Sequence, residues 1–131
     1  MVDFDSIKPG LKSLAEEHKL DFVALFGSQA TGRTHAKSDI DIAYISRDKV
    51  DWVKFGTQLY RLFDREDVET ADLATASPTL LYVVARDGKL LYEKELGAFL
   101  KWKLYAIWTW LDTAWLRDLR NRKLIEWART T

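Results

Sequence analysis

The chain contains no cysteine. That excludes a disulfide framework, a thiolate zinc site and a cysteine nucleophile. Proline occurs only at Pro9 and Pro78, so most of the chain carries no helix breaker of that kind. No apolar run approaches the roughly 18 residues of a membrane span. The start, MVDFDSIKPG, lacks the basic and apolar regions of a secretory signal. The expectation is a soluble, cytoplasmic protein with no membrane partner. Nor is there an excess of either charge, since twenty Lys and Arg balance twenty Asp and Glu. That balance does not favour a general nucleic-acid binder. A local basic patch stays open.

What the chain does have is enough apolar residues for a core, 47% of its 131 positions. That length suits one domain. Residues 5 to 19 carry Ile7, Leu11, Leu14 and His18 at helical spacing. Pro9 belongs in a first turn, which sets the expected start near Ser6. DFVALFG (21–27) reads as a buried strand and DIDIAYIS (39–46) as a second. VDWVKFGTQLYRLFDR is an amphipathic helix with Trp52, Phe55, Leu59, Leu62 and Phe63 on one face. DVETADLAT gives a third strand, Ser77-Pro78 opens a short helix, and KLLYE is a last strand. From Leu96 to Arg129 there is no proline and one glycine, Gly97, which predicts one long helix. The expected fold is α+β: a small mixed sheet with helices on one face, plus the C-terminal helix. Residues 1–95 form the core and 96–131 a helical segment packed on it, within a single domain.

The chemistry concentrates between residues 25 and 45. LFGSQATGRTHAKSDIDIAYI leaves an apolar strand through Gly27-Ser28, crosses ten residues, and places Asp39 and Asp41 at the start of a second apolar strand. Two residues apart in a strand, both carboxylates project from one face. Side by side they repel. A divalent cation between them relieves that, and hard oxygen donors select magnesium or manganese. A glycine at the preceding strand end lets backbone amides approach a phosphate, and Ser28 adds a hydroxyl donor. An isolated D-x-D or Gly-Ser is more often a plain strand edge or turn. The combination is far more specific. Arg33, in the intervening loop, either offsets phosphate charge or is a solvated cation. His35 reads as a surface imidazole.

GSQATGRTHAKSDID matches G-S-x10-D-x-D and resembles the signature of the polymerase-β-like nucleotidyltransferase superfamily. More closely, the chain is similar to its minimal single-domain members, the MNT proteins. The likeness runs from about residue 10 to residue 95 and includes VETADLATASPTLLYVVARDGKLLYE. The resemblance implies two magnesium ions held by three carboxylates, with a nucleoside monophosphate moved from a nucleotide triphosphate, here ATP, to an acceptor hydroxyl. Asp39 and Asp41 match the first two acids. The third is Glu69 or Asp72, with Glu69 slightly favoured. Gly27, Ser28 and Arg33 would hold the triphosphate. Relatives of this kind are antitoxins that bind helical HEPN-domain RNase toxins, and intact members place AMP on a toxin tyrosine.

Six tryptophans occur in all, five of them among the last thirty residues. On one continuous helix, Leu96, Leu100, Leu104, Ile107, Leu111 and Trp115 fall on a stripe expected to pack on the domain, with Trp108 and Trp110 at its flanks. Trp102, Tyr105, Leu116 and Trp127 then point away, toward a partner interface rich in the residue types of interface hot spots. Three functions stay open. One is catalytic neutralisation of a toxin, a second is neutralisation by occlusion with idle acids, and a third is a small-molecule nucleotidyltransferase of aminoglycoside type.

Overall fold

The computed structural model of the chain describes residues 3–27, 30 and 39–130. Its first helix, α1 (Phe4–Glu17), is capped by the Asp3 carboxylate, which accepts hydrogen bonds from the amides of Asp5 and Ser6. Pro9 therefore lies in the second turn, not the first. The side-chain cap at Asp3 moves the start upstream of Ser6. Strand β1 (Phe22–Phe26) is followed by β2 (Ile40–Ile45). Helix α2 (Trp52–Phe63) is capped by Asp51 and ends at Asp64 in the left-handed region. Strand β3 (Val68–Asp72) precedes α3 (Pro78–Asp87), where Ser77 caps and Pro78 opens the first turn. Strand β4 (Lys89–Glu93) completes a four-stranded sheet in the order β3-β2-β1-β4. β1 is antiparallel to β2 and β4, while β2 and β3 run parallel. The expected α+β class and mixed sheet are therefore present.

Alternation along β1 builds two cores. Val23 and Leu25 join Ile40, Ile42, Tyr44, Leu11, Phe55 and Leu59 beneath α1 and α2. Phe22 and Ala24 join Ala43, Leu81, Val84, Phe99, Trp102 and Ala106 on the other side. Helices thus cover both faces of the sheet, not one. The second layer consists of α3 and a C-terminal helix that packs more deeply than its sequence pattern suggests.

That C-terminal segment departs most from expectation. It is two helices, α4 (Ala98–Asp112) and α5 (Ala114–Thr130), broken at Thr113. The Thr113 hydroxyl bonds back to the carbonyls of Thr109 (2.9 Å) and Trp110 (3.2 Å), a pattern that bends helices. Arg117 Nη2 also donates to the Trp110 carbonyl, at 2.7 Å. The start of α4 is set by Glu93, whose carboxylate accepts from the amides of Gly97 and Phe99, both at 3.1 Å.

The buried face of α4 is Phe99, Trp102 and Ala106. It is rotated about a third of a turn from the expected stripe. Leu96, Leu100, Leu104, Ile107, Leu111 and Trp115 are exposed. Trp102 is correspondingly 7% exposed and is not available to a partner, which corrects its assignment to the interface. The physical reason is aromatic packing: Phe22 lies 5.2 Å from Trp102 and 5.0 Å from Phe99, ring to ring. Helical periodicity alone could not distinguish that face from the leucine stripe.

The Trp102 indole N–H has no hydrogen-bond partner among the described residues. Its contribution is therefore packing. Trp102→Ala is expected to lose about 3–5 kcal/mol of stability, whereas Trp102→Phe, which also removes the orphan donor, should lose under about 1.5 kcal/mol. Urea unfolding of the two variants checks this.

Candidate active site

The candidate site forms where β1 ends and β2 and β3 begin. Register places Phe26 opposite Asp41 across the antiparallel pair and Glu69 opposite Asp41 across the parallel pair. Asp41 and Glu69 therefore project from the same face of the sheet, the one covered by α3 and α4. Asp39 immediately precedes β2 and is exposed, whereas Asp41 is half-buried. Asp72 pairs with Tyr44 instead. That is the opposite face, and the Asp72 carboxylate accepts from the Ala74 amide at 2.9 Å in the following turn. Of the two candidates for the third acid, the structure brings Glu69 to Asp41 and leaves Asp72 apart.

Gly27 sits directly against this group. Its φ is +74°, a conformation that side chains rarely adopt, and a Cβ built there would meet Asp41 Oδ2 at 2.2 Å. The sequence needs glycine here twice over, for the turn and for the carboxylate. The chain then curls back, with the Ala30 amide donating to the Gly27 carbonyl at 3.2 Å. Ser28 and Arg33, the other expected phosphate ligands, and His35 lie outside the described residues.

The electrostatics are those of crowded acids. Burial raises the Asp41 carboxyl above its ordinary value, and the charges of Glu69 and Asp39 raise it further. Every resolved influence acts in that one direction. Among the described residues no three acids or histidines stand as a complete metal cage. The donor chemistry nevertheless fits a hard divalent cation: carboxylate oxygens from adjacent strands, with mutual repulsion that a positive charge would relieve.

One residue at the rim escaped the sequence reading. Arg65 grips Asp67 with a forked pair of bonds, Nε to Oδ1 at 2.7 Å and Nη2 to Oδ2. The Asp67 carbonyl in turn accepts from the Ile40 amide at 3.0 Å, next to Asp39. The Arg65 pKa is raised chiefly by its hydrogen bond to Asp67, with smaller contributions from the Asp67 and Asp39 charges. Its position just before β3 was the only available signal, and it becomes meaningful only once β3 pairs parallel with β2.

Comparison with known proteins agrees with this geometry. Residues 10–96 match the family described as polymerase beta, nucleotidyltransferase. Two curated relatives are each named protein adenylyltransferase MntA. The one from Shewanella oneidensis is 38% identical over 77 residues, covering 56% of this chain and 55% of that protein. The alignment thus spans about half of that relative's length. The one from Aphanizomenon flos-aquae is 30% identical over 126 residues, covering 87% of this chain and 82% of that protein. A crystal structure of a toxin-antitoxin with AMP-PNP superposes with a TM-score of 0.77 at 26% identity, over 90% of this chain and 98% of that one. That family match spans two thirds of the chain and includes Gly27, Asp39, Asp41 and Glu69, and the chain belongs to the polymerase-β nucleotidyltransferase family.

Proposed function

We propose that the chain is a magnesium-dependent adenylyltransferase that acts as the antitoxin of a HEPN-type RNase toxin. It moves AMP from ATP to a tyrosine hydroxyl of that toxin. The observation that carries this reading is the contact of Gly27 with Asp41, with Glu69 opposite. The close approach of the Gly27 backbone to the Asp41 carboxylate supports a phosphate-binding turn beside a metal-binding acid. The names of the curated relatives and the toxin-antitoxin with AMP-PNP supply the substrate class and the partner.

In this reading Asp39, Asp41 and Glu69 are the residues that would hold two magnesium ions. Bound there, magnesium would make the attacking hydroxyl more acidic and offset charge on the leaving pyrophosphate. The turn at Gly27 and Ser28 holds the β- and γ-phosphates, helped by Arg33. The tyrosine oxygen forms the new bond to the α-phosphorus, and its proton passes to Glu69. The α–β bridge then breaks and pyrophosphate leaves. A bulky adenylate on the tyrosine would obstruct the toxin's RNA site.

Occlusion without chemistry is separated by one experiment. Intact mass of the toxin is measured after incubation with this protein, magnesium and ATP. The expected result is a gain of one or more AMP units. With Asp39→Ala/Asp41→Ala the rate should fall by at least about 100-fold, the order found when charge-stabilising groups are removed. A neutralised toxin of unchanged mass would sink the catalytic reading. Gly27→Ala should likewise abolish transfer, and should cost at least about 1–2 kcal/mol of stability from the positive φ alone.

The acids also carry a pH signature. The folded-state pKa of Asp41 is raised, so ionisation is harder in the folded than in the unfolded chain. The stability this group contributes is full below the unfolded pKa and is lost as pH rises through the folded value. At neutral pH the ionised Asp41 therefore weakens the fold. Asp41→Asn should raise the melting temperature at about pH 7 and change it little at about pH 3, while transfer is lost. Melting curves at the two pH values check the sign.

A further inference from the structure

Helix α5 runs for 17 residues and none of them is buried. A helix of that length is marginal in water unless an apolar face is packed. Yet α5 carries such a face. Trp115, Leu116 and Leu119 are 63%, 47% and 45% exposed and lie on one side of its first two turns. Further along, Lys123 and Glu126 share that side with Trp127, while Leu124 and Ile125 are exposed on other sides. The domain's own core ends on α4.

Helix α5 is nonetheless fixed in direction. Arg117 Nη1 donates to the Thr113 hydroxyl and Nη2 to the Trp110 carbonyl, each at 2.7 Å. Its guanidinium lies 3.2 Å from the centre of the Trp110 ring. Trp110 stacks on Tyr82 of α3 at 4.6 Å, and Arg86 lies over the same Tyr82 ring. Two stacked aromatics flanked by two guanidinium groups therefore tie the root of α5 to α3 and α4. Such a fixed arm would lose little conformational freedom on binding.

Charge selects the occupant. From residue 114 to the end, Arg117, Arg120, Arg122, Lys123 and Arg129 face Asp118 and Glu126, five positive against two negative, a net of +3. A second copy of this chain docking by the same face would bring like charges together. An apolar surface surrounded by carboxylates complements it. Trp115 and Trp127 are each about two-thirds exposed. At roughly 150–250 Å² for a fully buried ring, these two carry about a third of the ~800 Å² that one partner contributes to a standard interface, and Leu116 and Leu119 add to it.

We infer that α5 is the docking arm for the toxin, presenting the face of Trp115, Leu116 and Leu119 to an apolar, acid-rimmed surface, with Arg117 as the residue that positions it. The inference rests on the toxin partner proposed above. It keeps Leu116 and Trp127 of the expected interface, drops Trp102, and places Tyr105 on α4, outside this face.

The test uses the full chain with Leu116→Glu/Leu119→Glu. Both positions are exposed, so the variant alone should melt as wild type and bind AMP-PNP as wild type. Its affinity for the toxin should fall by at least about 100-fold, the loss expected of two anchor residues. Arg117→Ala should lower affinity by about tenfold, and Arg117→Lys should not restore it, because lysine has no fork to span both acceptors. Wild-type affinity in the double variant would overturn the inference. So would light scattering that finds the isolated wild-type chain dimeric and the double variant monomeric with unchanged toxin affinity, for then a second copy occupies the face. A wild-type chain that forms no complex with the toxin overturns it too. Toxin mass is read in parallel. A complex that depends on α5 but gains no AMP would defeat the proposed chemistry and leave the docking arm standing.

Discussion

The contact between Gly27 and the Asp41 carboxylate is the constraint on which the rest of the site depends. It requires a residue without a side chain at a positive φ, at the end of a strand whose last residue, Phe26, lies opposite Asp41. That requirement fixes the β1–β2 register. The register sets Asp41 on the α3/α4 face, and the parallel pairing of β3 then delivers Glu69 to the same place. Two large cores on either side of the sheet hold the strands in this relation. An acid group that repels itself is thereby kept together by hydrophobic burial elsewhere, a common arrangement where function and stability compete.

Much of this was legible in the sequence. The order of strands and helices follows from apolar runs, caps and turn residues, because each is a local signal. The D-x-D spacing and the glycine at the end of the first strand were equally plain, and the structure sets Gly27 against Asp41. The choice between Glu69 and Asp72 was not. It depends on which residue of β3 pairs with Asp41, and pairing is a non-local fact. A shift of one position would have exchanged the two faces.

The C-terminal region shows the limit of periodicity. Leu96, Leu100, Leu104, Ile107, Leu111 and Trp115 make a regular stripe, yet the sheet takes the neighbouring face with Phe99, Trp102 and Ala106. Both faces are apolar, and moment arguments weigh hydrophobicity without shape. On the face that is buried, two aromatic rings pack against Phe22 beside a small alanine. The break at Thr113 was hidden for a related reason. Threonine is an ordinary helix residue until an arginine four positions on reaches back to its hydroxyl and to the Trp110 carbonyl.

That break turns the end of the molecule into a lever. At 1.5 Å per residue, α5 is about 25 Å long. A change of some ten degrees at its root would displace the far end by about 4 Å, nearly the diameter of a methyl group. The hydroxyl of Thr113 and the fork of Arg117 thus act as the bearing of an arm whose tip position depends on two side chains. Divergence between related chains could re-aim the arm through that joint without touching the residues of the Gly27–Asp41 contact.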